Sequence, residues 1–166
     1  MKKLKLLFAL LFVLPALMFS QEPANYSYVQ TKLGVVKIPG KWKQTTTVDD
    51  SGQTYLENKE GVIIAIAQNP KKAYPFYKSN ASAFENVKQF YIWDADYRRE
   101  NKFKTDKIKE NEASEYIIWK YNDGKLDNIF LFGSSKNNFL NLMVYTAVWS
   151  EAEQIDFLEK LYLSNK

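Results

Sequence analysis

Residues 113–149 read ASEYIIWKYNDGKLDNIFLFGSSKNNFLNLMVYTAVW, three apolar runs parted by two turn signals. Such a stretch has few ways to fold besides a three-strand antiparallel meander. Asn122-Asp123-Gly124 supplies the first turn, since Asp-Gly tolerates the positive φ angles of a tight hairpin. The polar run GSSKNN, 133–138, supplies the second. The expected strands are 113–121, 125–132 and 139–148. Successive side chains of a strand point to opposite faces. Ile117, Trp119 and Tyr121 therefore share one face of the first strand, with Tyr116 and Ile118 on the other. On the third, Phe139, Met143 and Tyr145 oppose Leu140, Leu142, Val144 and Val148. A sheet with one wet face would alternate apolar with polar residues. Here both faces are apolar, so the remainder of the chain must cover both. Trp119, Tyr121 and Tyr145 are expected in the core.

The remaining segments supply the covers. A first strand is expected within 28–38, stopped by Pro39-Gly40, with Gly34 marking a bulge or a close backbone approach. β-Rich runs at 45–49 and 53–58 flank Asp50-Ser51-Gly52 and form a hairpin. The run VIIAIA, 62–67, has no polar residue and reads as a central strand. Residues 68–79 form a loop held by Pro70 and Pro75. Ser82 followed by Glu85 is a capping box, with Ser79 or Asn80 as the alternative cap, opening a helix to about Tyr97 with Phe84, Val87, Phe90 and Tyr91 on one face. The lysine-studded run 103–110 belongs at a sheet edge, because lysines there blunt pairing with other chains. Ser150 and Glu153 make a second capping box before a helix that ends near Leu163, with Ile155, Leu158, Leu161 and Tyr162 on its apolar side. The fold class is α+β: an antiparallel sheet flanked by two helices, an α/β/α sandwich in its favoured form, with both helices on one face as the alternative.

The N-terminus carries an address. Lys2, Lys3 and Lys5 precede a 14-residue apolar run, 6–19, with Ser20 at its end. A basic start, a short apolar middle and a small residue at the cut are the layout of a secretory signal peptide. A membrane-spanning helix needs about 20 apolar residues, so no permanent anchor is expected once the signal is cleaved. Residues 1–20 are assigned to the signal, 21–27 to a flexible lead-in and 28–166 to one domain, exported to the periplasm or beyond the cell. The full chain has 23 basic and 19 acidic residues, and removing the three leader lysines leaves 20 against 19. The basic pI therefore resides mostly in the leader, and no nucleic-acid partner is expected. There is no cysteine, so neither a disulfide nor a lipid-modified cysteine is available. There is also no histidine. That removes Ser-His and Cys-His nucleophile pairs and the commonest zinc ligand; catalysis would have to run on carboxylates, Lys, Arg or Tyr.

The strand closing on Ile38-Pro39-Gly40-Lys41-Trp42, the β-rich runs behind it, the helix from Ser82 and the long strands before a terminal helix resemble the PsbP-like superfamily. The resemblance covers about 30–163. It implies an antiparallel sheet between helices, and a role in binding or assembly rather than catalysis. Metal binding found in parts of that superfamily does not carry over, since no histidine is present to match its ligands.

Two local groupings compete as sites. Tyr74, Phe76 and Tyr77, beside Lys71 and Lys72, form an aromatic loop of the kind recognition surfaces favour; Trp93 is grouped with them as a tentative binding residue. A plain lid over one end of the core is the competing reading of this loop. The run WDADYRRE, 93–100, offers Asp94 and Asp96 as hard-metal ligands or an acid–base pair. Residues two apart on a helix do not face each other, so the run reads better as a solvated helix end with Asp94 and Arg98 paired at i,i+4. No catalytic residue, metal site or cofactor is assigned. The functional expectation is a non-catalytic exported binding or assembly protein of the bacterial cell envelope, its partner another envelope or extracellular protein. The alternatives are a carboxylate-dependent hydrolase without histidine and a partner-specific inhibitor or immunity-type protein.

Overall fold

The meander forms where the turn chemistry puts it, and it anchors a larger sheet. The structure is a computed structural model and describes residues 25–46 and 52–166. Its strands are β1 (Tyr26–Thr31), β2 (Gly34–Pro39), β3 (Lys43–Thr46), β4 (Thr54–Glu57), β5 (Ile63–Pro70), β6 (Thr105–Asn111), β7 (Tyr116–Asn122), β8 (Asp127–Ser135) and β9 (Asn138–Tyr145). Helix α1 spans Ala83–Glu100 and helix α2 spans Glu151–Leu163. Seven strands make one antiparallel sheet in the order β3-β4-β5-β9-β8-β7-β6. The fold is α+β. The signal assigned to 1–20 and most of the lead-in lie outside the described residues, as do residues 47–49 of the expected run 45–49 and Asp50 and Ser51 of the expected turn.

Strand parity sorts the core into two layers. Ile64, Ile66, Tyr116, Ile118, Ile129, Leu131, Leu140, Leu142 and Val144 pack with Leu158, Leu161 and Tyr162 of α2. Ala65, Ile117, Trp119, Phe130, Phe132, Phe139 and Met143 pack with Phe84, Val87, Phe90 and Ala95 of α1. One helix therefore lies on each face, as the doubly apolar strands require. Burial of this many aliphatic and aromatic side chains, at about 25 cal/mol per Å² of apolar area, is what holds the layers together.

Several local expectations need correction. The single strand expected at 28–38 is a hairpin: β1 and β2 pair antiparallel, from Tyr26 opposite Pro39 to Thr31 opposite Gly34. Tyr26 and Ser27, expected in the lead-in, already belong to β1. This hairpin stands apart from the seven-stranded sheet and adds Val29, Val36 and Ile38 to the α2-side core. Strand β5 continues through Pro70, so the loop begins later than its first polar residue implies. The second meander turn is only Lys136-Asn137; β8 runs on through Ser135, with Lys136 at φ 53°. Val148 falls beyond β9. Helix α1 continues to Glu100. Its Ser82 cap accepts from the Glu85 amide at 3.1 Å, while the Glu85 carboxylate turns to Lys88 instead of closing the box. The α2 box is complete: Ser150 Oγ accepts from Glu153 N, and the Glu153 carboxylate accepts from Ser150 N at 2.7 Å. Strand β6 is at the sheet edge, where its lysines belong.

Candidate functional site

Helix α1 rests on β6, β7 and β8 and does not reach across the sheet. Its footing is aromatic: Phe90 stacks on Phe132 with ring centroids 4.1 Å apart, and Trp119 stacks on Phe130 at 4.9 Å. On the same face, α1 meets β9 through Phe90 on Phe139 at 4.9 Å, and beyond that edge Tyr55, Ile63, Asn141 and Met143 of β4, β5 and β9 line open space. The consequence is an open cleft of about 890 Å³. Trp93, Asp94, Tyr97 and Arg98 of α1 form one wall; Tyr55, Asn141, Met143 and Tyr145 form the floor and far side. Tyr74 closes one end, and Tyr121, Asp123 and Asn128 the other. A concave site of this size, ring-lined with a few convergent polar groups, has the character of small-ligand pockets.

The loop that supplies Tyr74 is tied at both ends. Lys71 N donates to Asn137 O at 3.0 Å, and Lys71 Nζ donates to Ser134 Oγ at 2.6 Å and to Lys136 O at 2.8 Å. At the other end the buried Asn86 amide accepts from Lys78 N and donates to Lys78 O, both at 2.9 Å. Between these ties Tyr74 packs on Phe90 at 4.9 Å, Phe76 at 5.1 Å, Phe139 at 5.5 Å and Trp93 at 5.7 Å. The structure thus gathers Tyr74, Phe76 and Trp93 into one aromatic cluster. Tyr74 and Trp93 line the cleft; Phe76 backs them from within the core layer. Tyr77 is half-buried and belongs to neither group. The loop is both lid and wall.

Lys71, expected beside the loop aromatics as part of a recognition surface, is instead buried. It is 7% exposed, and burial pushes its ammonium below the usual lysine range, with the Glu115 charge opposing. A lysine on a serine hydroxyl is a known way to activate a nucleophile. Here Ser134 is only 2% exposed and outside the cleft, so no substrate reaches it and the pair serves as a latch.

The acidic run at the end of α1 divides. Asp96 pairs with Arg99 in solvent. Asp94, expected at a solvated helix end, is instead 9% exposed. Its carboxylate lies 3.6 Å from Arg98 Nε and, among the described residues, accepts no hydrogen bond. Burial pushes it above the usual carboxylate range, and Arg98 opposes this only in part. The Arg98 guanidinium lies 4.6 Å over the Tyr121 ring and 5.5 Å over Tyr97. Asp123 differs. Its Oδ1 accepts from Lys125 N at 2.9 Å and Leu126 N at 3.0 Å inside its own turn, and these bonds hold it below the usual range. Asn141 sits mid-strand on β9, opposite Ala67 and Phe132, and its Oδ1 is sealed from solvent without a partner.

Two of the aromatics expected in the core therefore belong to the site. Trp119 is fully buried, whereas Tyr121 and Tyr145 face the cleft, half-buried. Tyr97, Arg98 and Asn141 carry no sequence motif. The signals in the sequence are the Asp94–Arg98 spacing and Asn141 itself, a polar residue between apolar neighbours on a strand apolar on both faces. Among the described residues no three acidic, histidine or cysteine side chains group as metal ligands, and no helix is long and apolar enough to cross a membrane. Compared with models of known protein families the chain matches none, and comparison with curated proteins likewise finds no match.

Proposed function

We propose that this chain is a non-catalytic exported binding protein of the bacterial cell envelope, built as a PsbP-like sandwich, with the α1-side cleft as its binding site. Export rests on the leader-like layout of residues 1–20. The PsbP-like reading rests on element order, and on a sheet with one helix packed against each face. The observation that carries binding is the cleft itself: 890 Å³, walled by rings, with Trp93 48% and Tyr97 54% exposed at its rim. Exposed rings beside buried polar groups are what a recognition site needs and what a folded core does not. The partner in this reading is another envelope or extracellular protein that inserts a group into the cleft while Trp93 and Tyr97 contact its surroundings.

The test is recovery of partners from envelope extract by wild type and by Trp93→Ala/Tyr97→Ala. Both positions are exposed, so the double variant is expected to fold and to recover at least tenfold less of a specific partner. Equal recovery would remove the cleft from the function.

One observation favours a second reading, a carboxylate-dependent hydrolase. Asp94 and Asp123 line the same cleft with proton affinities displaced in opposite directions, the arrangement that assigns an acid and a base. Against it, Asp123 is engaged by its own turn amides. Asp94→Asn discriminates: it would abolish turnover in an enzyme, whereas a binding protein retains partner recovery within about tenfold.

A further inference from the structure

Resting on that binding reading, the polar groups of the cleft narrow what it accepts. Three kinds of group face the space. Asp94 is an acceptor with no hydrogen-bond donor, and the Asn141 amide makes no hydrogen bond among the described residues; its Oδ1 is sealed from solvent, so its Nδ2 is the atom a ligand would meet. Arg98 Nε is a buried donor that finds no acceptor within hydrogen-bond distance, Asp94 standing just beyond it at 3.6 Å. The walls are ring faces. A buried polar group left without a partner costs about 1–3 kcal/mol; of these groups the Asp94 carboxylate and the Asn141 Nδ2 line the cleft where a ligand could complete them, while Arg98 Nε is sealed.

Charge then removes whole classes. An anion would meet the carboxylates of Asp94 and Asp123. A cation seeking the half-buried Tyr121 face would find the Arg98 guanidinium already over it at 4.6 Å. A purely apolar ligand would leave Asp94 and Asn141 buried without partners. What remains is a neutral ligand rich in groups that both donate and accept. Hydroxyls do this. A sugar ring carries hydroxyls around its rim and presents a C–H face that lies flat on an aromatic ring. Trp93 and Tyr97 stand four residues apart on α1, hence on one side of the helix one turn apart, a spacing suited to consecutive contacts along a chain of rings.

We infer that the group this partner inserts is a neutral glycan that it carries, with Trp93 and Tyr97 as the stacking surface and Asp94 and Asn141 as the hydrogen-bonding groups.

Fluorescently labelled protein on an array of neutral, acidic and sulfated glycans, with a peptide array beside it, tests this. Neutral hits are then titrated by tryptophan fluorescence against wild type, Trp93→Ala and Asn141→Leu. The expected result is saturable binding of neutral glycans, at least tenfold weaker in both variants, while Asn141→Leu melts no lower than wild type because it replaces an unpartnered amide with an apolar side chain. That pairing of lost binding with kept stability is one a structural asparagine would not give. Neutral glycans bound equally by wild type and both variants would overturn the assignment of the site. Binding confined to acidic glycans, sulfated glycans or peptides would overturn the ligand class and leave the binding reading standing. So would an empty array from a protein that still recovers an envelope partner through Trp93 and Tyr97. An empty array together with no specific partner would remove both.

Discussion

Gly133 is where the ring of Tyr162 from α2 presses directly on the sheet backbone. It lies inside β8 rather than in a turn, and its backbone is not in the left-handed region, so conformational freedom is not what it supplies. It supplies room: a Cβ at this position would overlap the ring of Tyr162 from α2. That ring is fully buried, and its hydroxyl lies 2.7 Å from Ser134 O and 2.8 Å from Ser114 O, with burial pushing its proton affinity up. Gly133→Ala is therefore expected to cost about 2–4 kcal/mol, measured by urea unfolding. A loss under 1 kcal/mol would mean that α2 slides freely on the sheet. Asp94 gives a second residue-scale expectation. Its folded proton affinity is raised above the ordinary value of 3.8, so the folded state holds the proton more tightly than the unfolded chain does. The stability Asp94 contributes is present at low pH and is lost as pH rises through its raised value. Asparagine does not titrate. Relative to wild type, Asp94→Asn should thus gain stability between pH 3.5 and pH 7, read from unfolding curves at both. An unchanged gap would mean that Arg98 fully neutralises the site.

Among the elements, the meander and both helices were legible because their signals are local. Asp-Gly between β-rich runs, two Ser-x-x-Glu starts and lysines on an edge strand each determine their own surroundings. The β1–β2 hairpin was not. Its turn, Lys32-Leu33, has none of the usual turn residues, and Gly34 reads equally as a bulge within one strand. What secures it is distant in sequence. The Asn165 side chain, just past α2, accepts from Lys37 N and donates to Lys37 O, both at 2.8 Å, completing the open edge of β2 as a neighbouring strand would. Thr31 Oγ1 donates to Gln68 Oε1 of β5 at 2.7 Å at the other end. Asn165→Ala removes the first tie. The expectation is a loss of about 1–2 kcal/mol, with amide exchange at Lys37 accelerated while β8 and β9 keep their protection. Uniform acceleration across the molecule would show instead that the hairpin opens only with the whole fold.

At the scale of the molecule, the cleft exists because two layers of unequal width share one sheet. The bulk of Trp119, Phe130 and Phe132 seats α1 over β7 and β8, and on the β5–β9 side Ile63, Asn141 and Met143 line the space it leaves. No single residue announces this in sequence, since the lateral position of a helix depends on side chains from four strands at once. The opposite face has no such slack: α2 and the hairpin together close it over Ile64, Leu131, Leu142 and Val144. The two faces should therefore respond differently to loss of their helices' contacts. Ending the chain after Trp149 removes Leu158, Leu161 and Tyr162, and α1 cannot replace them from the other side of the sheet. At about 1.5–3 kcal/mol for each large apolar side chain returned to water, against a typical domain stability of about 5–15 kcal/mol, the truncated chain should lose cooperative thermal unfolding. Opening the α1 side by the Trp93→Ala/Tyr97→Ala pair should leave a sharp transition near that of wild type, since both rings stand at an exposed rim. Calorimetry on the two proteins separates these outcomes, and a cooperative transition in the truncated chain would show that one face suffices to hold the sheet.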